Sequence, residues 1–197
     1  MNEQNLSQIY ENRFYGIENY RNNVWKILVS NFFSKWIDSQ DHILDLGCGY
    51  GEFINNVNCK ARYAMDLNPK VKNYLQEDIC FIKQDCSSSW DIESNSLDLV
   101  FSSNFFEHLP NKKSLNSTIV EIKKALKPDG LMIAMGPNIK TLKGKYWDFW
   151  DHHVPLSDAS INELLELHNF SVLKIISKFL PYNMVRVKER PLFLVSL

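Results

Sequence analysis

Three glycines at alternate positions follow a short apolar run. The run, residues 43–46, suits a β-strand, and apolar residues resume at a helical spacing from Phe53. Glycine allows positive φ angles and lets a ligand lie directly against the backbone. The stretch therefore predicts a strand, a tight turn and a helix whose unpaired N–H groups face a ligand. The three glycines are Gly47, Gly49 and Gly51.

Acidic side chains around this turn indicate the charge of its ligand. A dinucleotide-binding turn would place its third glycine at position 52, where this chain has Glu52. A glutamate at the start of a helix would repel a pyrophosphate, and Asp45 at the strand end adds a second negative charge. Both side chains suit a ligand with positive charge. A glycine-rich turn that binds nothing is the structural alternative.

Asp66 stands at the end of the second predicted strand, residues 61–66 and 19 residues past Gly47. In nucleoside-binding doubly wound folds, an acidic residue near this offset accepts hydrogen bonds from the ribose hydroxyls. A carboxylate can accept both hydrogen bonds of a cis-diol. Leu67 follows, and its side chain could lie flat against a purine.

Polar residues also follow the third and fourth predicted strands. Residues 79–83 predict the third strand, which Asp85 and Cys86 follow, and an Asx turn is the alternative role for that aspartate. Residues 97–101 predict the fourth strand. The loop after it reads Ser-Ser-Asn-Phe-Phe-Glu-His-Leu and contains Asn104, Phe105 and His108.

The pattern Asp-x-Gly-x-Gly-x-Gly at a strand end resembles the first motif of the class I S-adenosylmethionine-dependent methyltransferases. The loop after strand four is similar to the acidic-His-Leu loop of that family. It differs from the Asn-Pro-Pro-Tyr loop of methylases that act on nucleobase amines or glutamine amides, which argues against a nucleic-acid substrate. The resemblance covers roughly residues 40–180 and implies a doubly wound, Rossmann-like α/β sheet.

The resemblance also implies a cofactor, S-adenosylmethionine, which carries an ammonium and a sulfonium and has no phosphate. In this family an acidic residue at the position of Asp85 accepts the adenine amino group, and the next N–H, here that of Cys86, meets a ring nitrogen. The predicted cofactor-binding residues are Asp45, Gly47, Cys48, Gly49, Asp66, Leu67, Asp85, Cys86, Asn104, Phe105 and Arg13.

The remaining elements are predicted from apolar spacing. Residues 1–40 are expected to form an N-terminal helical cap and residues 41–197 the Rossmann-like domain. The aromatic and basic cluster around Arg13 is either helix packing or a flap in which Arg13 meets a carboxylate. Further predicted elements are a helical segment at 53–57, helices at 69–75, 113–126 and 157–167, a turn at 127–130, and strands at 131–135 and 171–179. Residues 191–197 either form the family's final antiparallel strand or the chain stops before it.

Residues 136–155 break this strand–helix alternation with crowded aromatic and imidazole rings. We interpret them as an acceptor-binding lid with Trp147 and Trp150 as apolar walls, and a packed structural insert is the alternative. In-line methyl transfer needs aligned, dehydrated reactants, and a hydroxyl acceptor also needs a base near neutral pKa. The candidate bases are His152 and His153, then His108, which in many such proteins only braces its loop.

Composition narrows the class of protein. The 197 residues carry 22 Lys and Arg against 23 Asp and Glu, so no global field favours nucleic acid or a membrane. The four cysteines form no Cys-x-x-Cys pair and no histidine stands at a metal-ligand spacing, which argues against a zinc site or a disulfide framework. The absence of a signal-like or membrane-length apolar run predicts a cytoplasmic protein.

The sequence thus predicts a methyltransferase that moves a methyl group from S-adenosylmethionine to O or N of a small molecule. The aromatic lid is similar to lids of bacterial methyltransferases of sugar or cell-envelope biosynthesis. A methyltransferase-like partner subunit that binds cofactor without turnover is the alternative function. A dehydrogenase on a related fold is a second rival, which Glu52 disfavours.

Overall fold

The computed structural model describes residue 13 and residues 15–180. Five parallel strands form one sheet in the order β3-β2-β1-β4-β5. The strands are β1 His42–Leu46, β2 Ala61–Asp66, β3 Cys80–Lys83, β4 Leu97–Ser103 and β5 Leu126–Met135. The α-helices given bounds within the described residues are α1 Glu18–Asn31, α2 Lys112–Ala125, α3 Ile139–Leu142 and α4 Asp158–Leu167. Short 3₁₀ turns include Ile54–Asn56, Pro69–Tyr74 and Phe106–His108.

The strand order reverses between β1 and β4. In open α/β sheets, ligands bind in the crevice beyond the carboxyl ends of the strands at such a switch point. The glycine turn follows β1 and the loop from Asn104 to His108 follows β4. The topology therefore brings both sequence motifs to one crevice and confirms the predicted doubly wound, class I methyltransferase fold.

Each face of the sheet is covered by a separate apolar cluster. On one face, Leu115, Ile119 and Ile122 of α2 pack against β-strand residues that include Leu44 and Val100. On the other face lie Val24, Leu28 and Phe33 from α1 and the turn after it, packed with residues such as Phe101. The N-terminal helix thus shares a hydrophobic cluster with the sheet. Burial on both faces explains why β1 and β4 read as nearly continuous apolar runs.

Side-chain caps fix where two helices begin. The Asn111 side chain accepts a hydrogen bond from the Ser114 N–H at the start of α2. Ser157 and Ser160 exchange side-chain to backbone hydrogen bonds at the start of α4, which satisfies otherwise unpaired N–H groups. Both helices agree with the predicted ones within one residue.

Several predicted elements differ from the structure. The helical segment after the glycine turn is only the 3₁₀ turn Ile54–Asn56. The predicted turn at 127–130 lies inside β5, which starts directly after α2 and pairs with β4 across a register shift between Leu97 and Leu99. The predicted sixth strand is wrong, because residues 171–179 form no strand. A β-strand needs a neighbouring strand for its backbone hydrogen bonds, and the alternation of apolar and polar residues does not provide one. The predicted final strand at 191–197 lies outside the described residues.

None of the helices in the described part of the chain has the length and apolarity needed to cross a membrane.

Candidate functional site

The turn after β1 adopts the positive-φ conformation that its glycines predict. Gly47, Gly49 and Gly51 have φ angles of 68°, 53° and 70°, a region that side chains rarely occupy. The Met65 carbonyl accepts hydrogen bonds from the N–H groups of Gly47 and Cys48 at 2.9 and 3.3 Å. The turn is therefore tied to the end of β2.

Asp66 holds the same turn through its carboxylate. One oxygen accepts the N–H of Gly49 at 3.1 Å, and the other accepts the N–H of Asn68 at 2.9 Å. Burial raises the pKa of Asp66 above its usual value, although these backbone donors oppose the shift. Each oxygen has a further lone pair, so the carboxylate can still accept hydroxyl groups. Leu67, the predicted purine contact, is 45% exposed beside it.

A second buried carboxylate, Asp45, lies beneath the turn and is only 3% exposed. Its pKa is raised well above the usual value by burial and by the charges of Glu52 and Asp66. Glu52 is paired with Arg21 of α1 at 2.6 Å, whereas Asp45 forms no ion pair with any described residue. The turn thus concentrates negative charge that a cationic ligand would stabilise.

The loop after β4 covers the glycine turn. A Cβ atom built on Gly47 would lie 2.2 Å from ring atoms of Phe105, so this ring packs directly over the bare glycine backbone. Asn104 is exposed with a positive φ of 49°, and its N–H donates to the Met135 carbonyl at 2.8 Å. Both predicted cofactor contacts of this loop therefore lie at the switch point.

The predicted adenine-binding pair lies beyond β3. Asp85 is exposed, and one of its oxygens accepts both the N–H and the hydroxyl of Ser87 at 2.8 Å, which is the Asx-turn arrangement considered as its alternative role. The Cys86 thiol is buried against the Thr118 hydroxyl, and burial raises its pKa to about 12. A role of Cys86 toward the cofactor would therefore use its backbone N–H, as the family resemblance implies.

Asp151 joins three distant parts of the chain. One of its carboxylate oxygens accepts from the Arg13 guanidinium at 2.7 Å, and the other lies 3.2 Å from Nδ1 of His108. The Arg13 guanidinium also lies 4.6 Å from the ring centroid of Phe149. Burial alone would raise the pKa of Asp151, but the hydrogen bonds from His108 and Arg13 hold it below the usual value. In the structure, Arg13 thus meets a carboxylate of the chain itself.

Glu107, His108 and His152 converge beside this ion pair. The rings of the two histidines lie 4.9 Å apart between centroids, and Nε2 of His108 lies 3.9 Å from a Glu107 oxygen. Burial raises the pKa of Glu107 to about 7 and lowers that of His152 to about 4. A hydrogen bond to Asp151 raises the pKa of His108, although burial opposes it.

A continuous groove of about 1490 Å³ connects these groups with the glycine turn. Its lining includes Asp45 and Gly49 at one site and Glu107, His108 and His152 at the other. Glu107 is not among the site residues that the sequence predicts. Its position in the acidic-His-Leu loop was the available signal, but its burial depends on contacts with residues far along the chain.

The segment 136–155 is a packed insert that also contributes to the groove. Tyr146 is fully buried and its hydroxyl donates to the Val154 carbonyl at 2.7 Å. The prediction that Trp147 and Trp150 form apolar walls is wrong, because they are 61% and 88% exposed and neither lines the groove. His153 is also exposed and does not line the groove, although its N–H donates to the Glu107 carbonyl at 2.7 Å. The geometry therefore favours His152 and His108 over His153.

Comparisons with known proteins agree with this geometry. Residues 44–134 match the sequence model of a family described as a methyltransferase domain. No curated protein matches the chain significantly.

Solved structures share the fold. The chain is similar to a SAM-dependent methyltransferase from Archaeoglobus fulgidus, with a TM-score of 0.67 and 19% identity over 88% of each chain. It is similar to a protein solved in complex with the Haloferax volcanii Trm112 methyltransferase activator, with a TM-score of 0.63 and 19% identity over 79% of this chain and 71% of that one. A third similar structure is the [4+2]-cyclase SpnF, with a TM-score of 0.60 and 17% identity over 78% of this chain and 58% of that one.

Proposed function

We propose that this chain is a class I methyltransferase that transfers the methyl group of S-adenosylmethionine to O or N of a small molecule. The observation that carries the proposal is the positive-φ glycine turn, which lies over the buried carboxylate of Asp45 and is held by that of Asp66. A phosphate-bearing cofactor would be repelled there, whereas the ammonium and sulfonium of S-adenosylmethionine would be stabilised.

Each residue near the turn has a defined role in this proposal. Asp66 would accept the ribose hydroxyls, Asp45 would offset the positive charge, and Phe105 would cover the cofactor beside Gly47. When bound, S-adenosylmethionine supplies an electrophilic methyl group on a sulfonium that is already a good leaving group. The protein then has to align the acceptor and exclude water from it.

A small-molecule acceptor is supported by the charge balance and by the groove. The net charge of −1 provides no field for a polyanion, and the groove reaches the buried cluster around His108. Incubation of the protein with methyl-labelled cofactor and a small-molecule extract, followed by mass spectrometry, tests the proposal. Cofactor binding without label transfer to any extract component would favour the partner-subunit hypothesis instead.

Replacing Asp66 by alanine should weaken the affinity for S-adenosylmethionine about tenfold or more, because each charge-assisted hydrogen bond is worth about 1.5–3 kcal/mol. Calorimetry measures this, with Asp66→Asn as the matched variant that keeps one oxygen for the N–H of Gly49. We expect S-adenosylhomocysteine to bind and NAD not to bind the wild-type protein. Unchanged affinity in Asp66→Ala would remove Asp66 from the cofactor site.

The affinity for S-adenosylmethionine should rise with pH over the range in which Asp45 of the free protein ionises. Burial and neighbouring carboxylates raise the pKa of Asp45 in the free protein, while a bound cation favours the ionised carboxylate and lowers it. Between the two pKa values binding must therefore release protons, so affinity increases as pH rises. Calorimetry in buffers of different ionisation enthalpy counts these protons. The Asp45→Asn variant should release fewer protons when the cofactor binds. Equal proton release by the variant and the wild type would assign these protons to other groups.

A further inference from the structure

Glu107, His108 and His152 have the ligand types and spacing of a metal site. Each offers one ligand atom, and these atoms all lie within 4.8 Å of one another. Two imidazoles and one carboxylate are a common ligand set of catalytic zinc and non-haem iron sites, in which positions remain open for substrate. The sequence spacing argues against a zinc site, because only the fold brings His152 to Glu107 and His108, and the methyltransferase reaction itself assigns no metal to these residues.

Both histidines have a hydrogen-bond acceptor at Nδ1, which leaves Nε2 for a metal ion. Nδ1 of His108 lies 2.9 Å from the Asp151 carbonyl and 3.2 Å from the Asp151 carboxylate. Nδ1 of His152 lies 2.9 Å from the Tyr146 carbonyl. Because these oxygens only accept hydrogen bonds, Nδ1 is the donor in each ring, and the neutral form of each ring has its lone pair at Nε2. Carboxylate or carbonyl partners at the other ring nitrogen are the usual outer shell of metal-binding histidines.

The local charge also fits a divalent cation. Glu107 is 3% exposed, and it forms no ion pair with a lysine or arginine of the described chain. The nearby Arg13 is bound to Asp151, so those two charges offset each other. Burial of a carboxylate that no lysine or arginine neutralises is costly, and a bound cation would reduce that cost.

We propose that Glu107, His108 and His152 bind one divalent first-row transition-metal ion, with Zn²⁺ as the reference ion, and that this ion binds a hydroxyl group of the acceptor. The role toward the acceptor rests on the proposed methyl transfer, whereas the metal site itself rests on the geometry above. The substrate class is then an oxygen acceptor. A metal ion lowers the pKa of a bound hydroxyl, so its proton leaves to solvent. An oxygen lone pair forms the new C–O bond, and the C–S bond breaks with its electron pair on sulfur.

Metal titrations of the full chain, prepared without a histidine tag and stripped with a chelator, test the site without any methyl transfer. Calorimetry should show one equivalent of Zn²⁺ bound, and Co²⁺ should give visible absorption bands of a site with nitrogen and oxygen ligands. Mg²⁺, which prefers an all-oxygen octahedral shell, should not compete. The matched variants are Glu107→Gln, His152→Asn and His153→Asn, since His153 is the exposed neighbour of the proposed ligand His152.

The Glu107→Gln and His152→Asn variants should bind Zn²⁺ at least about tenfold to a hundredfold more weakly than the wild type, because replacing even a residue that only hydrogen-bonds a metal ligand lowers metal affinity by that much. The His153→Asn variant should bind Zn²⁺ as tightly as the wild type. Circular dichroism checks that each variant is folded. Absence of stoichiometric Zn²⁺ binding by the folded wild type, or equal affinity in folded Glu107→Gln, would overturn the proposal and leave a cluster that only exchanges protons. Because S-adenosylmethionine affinity is measured separately, failure of the metal site is distinguishable from failure of the proposed methyltransferase function.

Discussion

Replacing His152 by asparagine should lower methyl-transfer turnover by about 10²–10⁴-fold while the affinity for S-adenosylmethionine changes little. The range is the contribution of a positioned base; because the pKa of His152 is lowered to about 4, a loss near the upper end of the range would favour its role as a ligand of the proposed metal ion. His152 lies in the groove near His108, whereas the residues that would bind the cofactor surround the glycine turn. Single-turnover kinetics with a labelled cofactor measure the change once an acceptor has been identified.

The adjacent histidine provides the comparison for this experiment. His153 is exposed and does not line the groove, so His153→Asn separates the loss of an imidazole in the insert from the loss of the buried one. Full turnover in His152→Asn would move catalysis to His108 or show an acceptor that needs no activation. Loss of cofactor affinity together with turnover would instead mean that His152 stabilises the whole insert.

Replacing Gly47 by valine should abolish S-adenosylmethionine binding without unfolding the sheet. The φ angle of 68° is costly for a β-branched residue, and a Cβ atom would lie 2.2 Å from the Phe105 ring. The valine side chain would displace the Phe105 ring that is proposed to cover the cofactor. We expect affinity to fall by more than about 100-fold, because both the ring contact and the backbone contact with the cofactor would be lost. Calorimetry gives the affinity and circular dichroism the fold.

Gly144 and Gly16 supply matched controls for that substitution. A Cβ atom on Gly144 would meet nothing within 4 Å, so Gly144→Val should bind cofactor normally. Gly16 has a positive φ of 77° but open space around it, so Gly16→Val isolates backbone strain from steric overlap. Normal affinity in a folded Gly47→Val variant would show that the turn does not hold the cofactor.

The strands and their carboxyl-terminal motifs were predictable because they depend on local signals. The apolar run of β1, the glycines after it and Asp66 at the end of β2 all lie where their patterns indicated. The strand order then follows from the rules of doubly wound sheets. Residues 171–179 alternate between apolar and polar side chains but form no strand. Strand formation also requires a neighbouring strand, and the alternation within one segment does not show whether such a neighbour exists.

The groove around His108 was only partly predictable. His152 and His153 are neighbours of the same type, yet one is buried against the Tyr146 carbonyl and the other is exposed. Their difference is set by the fold of the insert, and no periodic pattern encodes it. The role of Asp151 was equally hidden, because its contacts with Arg13 and His108 span 138 and 43 positions of the chain.

The contacts of Asp151 have a consequence for the order in which the protein is assembled. During synthesis, Arg13 leaves the ribosome long before its partner is made, and all five strands emerge between them. Contacts so distant in sequence form late, since they close the longest loops. We therefore expect the residues of the five strands and of the glycine turn to be synthesised before those residues of the acceptor pocket that follow position 140. Recognition of cofactor and recognition of acceptor would then be acquired at separate moments in the life of the chain.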